Sequence, residues 1–504
     1  MPSEKAKILF LTAPEHGQAN VHLAVIAALQ SGLPLPLAPD LSNIELDLHL
    51  ASFPHLAKRV PAGVTWWEIE GKGFAQRFEE EFGKAEGDRR AFDLLSYSTG
   101  FLSSLYAYTQ ILPVVHPETP SQYLTSCLSL ENILTTLSPD LVVVDQLFAV
   151  ARDVLGKGDW KWIRLSPNSI KEVATIEQGL GIFRWPALCT GFPYPVPYSL
   201  LPLNIFSTLF PLFHNPLNPL LRAFNTARHS AGYKGQFPLL HPGEPTGRHS
   251  RVICMSTPGA EIDAVYPGKD KVVCAGPILL PVRPLADADP ELLKWLGPSQ
   301  LVLINLGTHF LQTPSFANAI LHSILSLLTL RPDLKVLWKL CKYGEYDIDL
   351  SLLGDDVLGK RVRVVEWLDA EPGSILHSGK VACFVNHGGS NSYHDGLAAG
   401  VPQIVLSAWF DCHDFSTRVE HLGNGVWGNK HAAPSCTQKE FTSALHTILS
   451  PSSPLSTSIQ AKAREYGRVV RDSWGGREGR EVAAGVVLEE LGKALGSRGR
   501  ETME

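Results

Sequence analysis

The first chemistry in this chain is a histidine. His16 stands in "PEHGQANVHLA" (Pro14 to Ala24), directly after the apolar run Ile8–Leu11, where a buried strand should give way to a helix. An imidazole there is open to three readings: a catalytic base, a metal ligand, or a polar group at a helix start. As a base, with an unperturbed pKa near ~6.5, it takes a hydroxyl proton only as that oxygen attacks, and a nearby carboxylate helps by stabilising the imidazolium. Asp145 is the candidate partner. It ends the buried run of "PDLVVVDQLF" at the carboxyl edge of a strand, where ligands gather in open α/β sheets, although a strand-end cap explains it too. His22, on the helix after His16, is expected to be structural.

The second concentration of chemistry is "NHGGSNSYHDGLAAGVPQIVLSAWFDCHD", Asn386 to Asp414. A buried strand runs into His387-Gly388-Gly389-Ser390-Asn391-Ser392, and helical residues come next. Glycines permit close backbone approach, and the free N–H groups and positive end of a helix favour an anion, so a diphosphate fits. Taken alone, a glycine pair before a helix is equally a plain turn with a polar cap. "LINLGTHF" repeats the strand-to-glycine pattern, with Gly307 and Thr308 placed to approach phosphates or merely to turn the chain. The acidic "DID" at Asp347–Asp349 and the pair Asp355-Asp356 follow no clear strand at a ligand edge and read as solvated loops, so no metal is expected.

These residues must be positioned by strands. Ile8–Leu11, Leu46–Leu50, Leu141–Val144, Ile163–Leu165 and Val252–Met255 alternate with helical stretches. A second series stands at Leu301–Leu306, Val336–Leu340, Val362–Val365, Cys383–Asn386 and Gln403–Leu406. The fold class is therefore α/β with two sheets in succession. Leu279–Pro290, with prolines at 281, 284 and 290 and no periodicity, is the expected linker. Glu172–Phe237, rich in proline and aromatic residues, is expected to be irregular or to form short helices, whereas Glu478–Leu495 has helical spacing throughout.

Composition narrows the classes of partner. A chain of 504 residues exceeds one ordinary core, and a net charge of −6 with interspersed signs offers no field for nucleic acid. The 8 cysteines show no metal-ligand spacing, which suits reduced thiols and a cytoplasmic location. The start of the chain is too short and too acidic in its flank for a secretory signal, and Ser199–Leu221, the most apolar region, is broken by prolines, so no transmembrane span is expected.

HGGSNSxxD followed by GVP and a later acid resembles the donor signature of UDP-dependent glycosyltransferases with the GT-B fold, in particular fungal members similar to plant secondary-product enzymes. That resemblance implies two Rossmann-like domains facing a central cleft: residues 1–280 for the acceptor, 281–475 for the nucleotide sugar, and 476–504 crossing back to the first domain. It implies that His16 removes the acceptor proton beside Asp145. Trp367 would stack on uracil; Gly307, Thr308, His387, Gly388, Gly389, Asn391 and Ser392 would surround the diphosphate; Asp395 would bind the ribose and Asp411 the sugar.

The sequence departs from the family pattern at Asp395, where glutamate is usual, and at Cys412, which stands for a carboxamide and leaves the sugar open. The implied activity is inverting transfer of a hexose, most readily glucose, to a hydroxyl of a small apolar acceptor, with no cofactor or metal. Glu172–Phe237 would supply acceptor selectivity, membrane-surface contact and core packing being the rival roles. Other functions compatible with these motifs are a catalytically silent nucleotide-sugar sensor and another GT-B enzyme such as an epimerase.

Overall fold

A computed structural model describes residues 4–32, 35, 41, 44–82, 93, 96–238 and 251–501. Two parallel sheets organise the chain. The first has seven strands in the order β3-β2-β1-β4-β5-β6-β7: β1 Glu4–Leu11, β2 Ile44–Ser52, β3 Thr65–Glu68, β4 Leu141–Asp145, β5 Trp162–Leu165, β6 Val252–Cys254 and β7 Val272–Cys274. The second has six in the order β10-β9-β8-β11-β12-β13: β8 Leu301–Asn305, β9 Lys335–Lys339, β10 Val362–Val365, β11 Val381–Asn386, β12 Gln403–Val405 and β13 Gly425–Trp427. Each strand named from the sequence is present. The three that were not, β3, β7 and β13, are edge strands of three or four residues, too short to show a period.

Strand order reverses between β1 and β4 in the first sheet and between β8 and β11 in the second. Such switch points open a crevice at the carboxyl ends of the strands. His16 and Asp145 lie at the ends of β1 and β4; Gly307 and His387 lie just past β8 and β11. All four sequence landmarks thus flank the two crevices.

The helices α1 (His16–Gln30), α4 (Ser390–Ala399), α5 (Phe410–Leu422) and α6 (Gly479–Glu501) border the crevices or brace the sheets, while α2 (Phe101–Val115) and α3 (Leu201–His214) pack on each other. Of the two forms expected over Glu172–Phe237, irregular structure or short helices, α3 and the helix Pro219–Ser230 show the helical one. Pro202 and Pro219 lie in the first turn of each, where a missing N–H costs no intrahelical bond, and Asn218 caps the second by accepting from Leu221 N–H.

α6 lies against α1 and belongs to the core of the first sheet. Val482, Val486, Val487 and Leu491 are buried with Ile8, Phe10, Ala24 and Ile253, and Arg251 ties the helix down through Glu489 at 2.8 Å and Glu490 at 3.1 Å. Deleting one of those apolar side chains leaves a void. Leu491→Ala is therefore expected to lower unfolding free energy by about 2–5 kcal/mol, seen as a lower urea midpoint at constant slope. An unchanged midpoint would show that α6 is dispensable to this core.

Candidate functional site

The first wall of the site is built on the β1–α1 junction. The chain leaves Leu11, turns through Thr12–Glu15 and enters α1 at His16, which is exposed to solvent at the helix start. Partial desolvation, then the nearby Arg59, His309, His55 and Lys339 side chains, pushes the His16 pKa down to about 4. At neutral pH the imidazole is thus uncharged and able to take a proton.

Asp145 does not meet the expectation of a direct partner. Its fully buried carboxyl accepts from Leu147 N–H at 2.9 Å and Ala13 N–H at 3.5 Å, and no hydrogen bond or ion pair joins it to His16. Burial, reinforced by Glu15, raises its pKa to about 7. The side chain braces the two loops that leave β1 and β4. His22 is buried, with Nδ1 3.2 Å from the Gln18 carbonyl, one turn back on its own helix.

The opposite wall is the β11–α4 junction. Buried Asn386 fixes the turn by accepting from Gly388 N–H at 2.8 Å and donating to Gln403 at 2.9 Å. The glycines make room for the His387 imidazole more than for a ligand. A Cβ on Gly307 would stand 2.9 Å from that ring and one on Gly389 closer still, while at Gly388, with φ of 84°, it would meet the Cys412 carbonyl oxygen at 2.7 Å. Burial, then His309 and Lys339, brings the His387 pKa to about 4. Thr308 is exposed beside this cradle.

α4 begins at Ser390 with no side-chain cap, which leaves its first N–H groups turned toward the seam, with Ser392 in the same turn. Asn391 crosses that seam and donates through Nδ2 to the Gly17 carbonyl at 3.3 Å, next to His16; Ser390 Oγ donates to the Pro167 carbonyl at 2.6 Å. One turn on, Asp395 is raised to about 7 by burial and by Glu371. Trp367 is 62 % exposed, with the Lys339 ammonium 3.9 Å over its ring and 3.3 Å from the Gly307 carbonyl. Asp411, in the first turn of α5, is raised to about 7 by burial and by Glu172 and Asp414. The Cys412 thiol is buried and turned to Asp411 Oδ1 at 3.9 Å, so it faces the protein interior.

Three buried polar atoms along this seam have no hydrogen-bond partner: Arg59 Nη1, His387 Nδ1 and Asn391 Oδ1. Orphaned donors and acceptors of this kind call for a polar ligand. Arg59, Glu371, His309 and Lys339 were not singled out from sequence. Lys339 and His309 carried a signal, one ending a strand at the ligand edge and the other lying inside "LGTHF"; Arg59 and Glu371 sit in turns without a pattern. Among the described residues no group of three or more His, Cys, Asp and Glu side chains is placed to hold a metal ion. Asp347 pairs with Lys342, Asp356 pairs with Lys360, and Asp349 caps the turn Leu350–Leu353.

Comparison with known proteins gives the same architecture a context. Residues 352–464 match the family described as erythromycin biosynthesis protein CIII-like, C-terminal domain. The glycosyltransferase sdnJ of Sordaria araneosa is 32 % identical over 536 aligned positions, covering 97 % of this chain and all of the relative. Among solved structures, a UDP-glucosyltransferase from Polygonum tinctorium capable of glucosylating indoxyl superposes with a TM-score of 0.63 at 15 % identity, over 98 % of this chain and all of the other. The glycosyltransferase VinC in complex with dTDP gives 0.57 at 15 %, over 97 % of this chain and all of the other. These neighbours have the GT-B fold.

The cations around His16 make its depressed pKa testable. In a histidine NMR titration, Arg59→Ala is expected to move the His16 midpoint upward from about 4, because the substitution removes the strongest charge repulsion on the imidazolium. A midpoint that stays put would mean that desolvation alone sets it.

Proposed function

Because this chain belongs to the glycosyltransferase family, we propose that it moves a hexose, glucose in the first instance, from a UDP-sugar to a hydroxyl of a small, largely apolar acceptor such as a secondary metabolite, sterol or lipid, with inversion at the anomeric carbon. The observation that carries this reading is the opposition of the two walls: Asn391 reaches from the helix start beside His387 to the Gly17 carbonyl beside His16 at 3.3 Å. A neutral base on one wall thereby faces a polar helix start on the other.

In the proposed arrangement residues 1–280 hold the acceptor, 281–475 the donor, and 476–504 return to the first domain. Trp367 stacks on the base with Lys339 behind its ring. Asp395 accepts from the ribose hydroxyls. The N–H groups at the α4 start, with Gly307, Thr308, His387, Asn391 and Ser392, surround the diphosphate, and Arg59 and Lys339 add positive charge. Asp411 accepts from the sugar hydroxyls. His16 takes the acceptor proton as the oxygen attacks the anomeric carbon on the face opposite the nucleotide. One C–O bond forms as another breaks, and UDP leaves with the electron pair, its charge held by the helix start and polar donors without a metal.

The test is a donor-by-acceptor screen in which UDP-, dTDP- and GDP-sugars are combined with phenolic, sterol and lipid acceptors and the glycoside is detected by mass. UDP-sugar turnover is expected. Transfer confined to another nucleotide would overturn the donor assignment, and donor conversion without an acceptor would point to an epimerase. His16→Ala is expected to lower kcat by ~10²–10⁴-fold with an unchanged circular dichroism spectrum; near-normal transfer would remove His16 from the mechanism.

Asp395 gives a pH signature. Its carboxyl is protonated below about 7, and only the carboxylate accepts from both ribose hydroxyls. Affinity for a nucleotide sugar should therefore weaken by up to ~tenfold per pH unit as pH falls below that midpoint, and Asp395→Asn should remove this share of the dependence. Identical profiles for the two proteins would place the ribose elsewhere.

A further inference from the structure

Outside the seam, the described residues include an apolar face formed by α2, α3 and the turns beside them. Neither helix contains an Asp, Glu, Lys or Arg. α3 packs on α2 and on the turn Ile176–Arg184, with ring contacts of 5.8 Å for Phe101–Phe206 and 6.5 Å for Tyr108–Phe210. That packing still leaves Leu102 and Tyr106 of α2, and Phe206, Leu212 and Phe213 of α3, turned outward; Leu212 and Phe213 are each 63 % exposed. Contiguous exposed apolar side chains of this size mark an interaction surface.

The charge around the face identifies the partner. From Gln178 to Pro238 the chain contains no Asp or Glu, and none occurs between Asp93 and Glu118. Glu118 is itself buried against His116 and Arg77. Two arginines and one acid border the face: Arg184, with its guanidinium 5.3 Å over the Tyr198 ring, Arg222, which donates to the Pro216 carbonyl at 2.7 Å, and Glu177 at the start of the turn Ile176–Arg184. In a protein of net charge −6, a long stretch without acids is the pattern that an anionic lipid surface selects, apolar side chains entering the acyl boundary and arginines meeting headgroups.

An aromatic route joins this face to the site. Tyr106 lies 5.9 Å from the ring of buried Tyr97, Tyr97 lies 5.2 Å from Phe410, and Phe410 precedes Asp411. Tyr97 is fixed from both sides, its N–H donating to the Ala408 carbonyl at 2.8 Å and its carbonyl 3.0 Å from His413 Nε2.

We propose that the α2–α3 face docks on an anionic membrane surface and admits an apolar acceptor from the bilayer toward the seam. Admission of the acceptor rests on the apolar-acceptor reading of the function; the docking does not. The full-length protein, without substrates, is floated with vesicles of phosphatidylcholine alone and of phosphatidylcholine with phosphatidylglycerol. Binding to the anionic vesicles is expected, weakened by salt. Leu212→Glu with Phe213→Glu should lower it by roughly tenfold or more, and Arg222→Glu should lower it for anionic vesicles only. The double variant should keep the circular dichroism spectrum and thermal midpoint of the unsubstituted protein. Absence of vesicle binding, equal binding by the double variant, or a lipid-free dimer that the double variant dissolves would each overturn the docking. Vesicle binding without any glycosyl transfer would instead retain the docking and reject the acceptor reading.

Discussion

A buried guanidinium sets the geometry on which the site depends. Arg418, two turns along α5 from Asp411, lies 2.6 Å from Ser169 Oγ, 3.0 Å from Glu172 and 3.2 Å from Glu261, all contributed by the part of the chain that carries the first sheet. Lys171 pairs with Asp414 on the same helix. Buried ion pairs of this kind add little net stability over apolar packing, yet breaking one leaves an uncompensated charge and costs several kcal/mol. Their contribution here is position. They hold α5, and with it Asp411, against the first sheet, as Ser390–Pro167 and Asn391–Gly17 hold α4.

Along the seam, desolvation works on acids and bases in opposite directions. His16 and His387 fall to about 4, while Asp145, Asp395 and Asp411 rise to about 7. Each depressed histidine contributes stability that is lost as pH falls from its ordinary ~6.5 toward the lowered value, because the unfolded chain then binds more protons. Each raised carboxyl acts the other way, its contribution shrinking as pH climbs from its ordinary ~3.9 to the raised value. At neutral pH the histidines are neutral and the carboxyls are close to their midpoints, so the fixed charges Arg59 and Lys339 dominate the seam. In the proposed function the diphosphate matches those charges, and each ionised carboxylate accepts from hydroxyl donors on the ribose and sugar.

The fold was legible because buried parallel strands announce themselves as continuous apolar runs, and the crevices because their landmarks sit directly at the ends of those runs. His16 and His387 could be found in that way. Contacts between distant segments could not: nothing in the turns holding Arg59 and Glu371, or in the spacing of Glu172, Glu261 and Arg418, shows that they meet. Asp145 was visible as a strand-end acid, but its direction was not, and it braces loops instead of touching the imidazole. α3 was obscured by its prolines, of which Pro202 lies in the first turn and Pro211 inside the helix.

The proposed chemistry needs one base to act across the seam on a donor held by the opposite wall, in a single displacement. The anomeric configuration of the isolated product, read by proton NMR, reports on that step without intermediaries. From an α-linked nucleotide sugar a single displacement must yield a β-glycoside; an α-glycoside, which needs a second displacement or front-side attack, would contradict it.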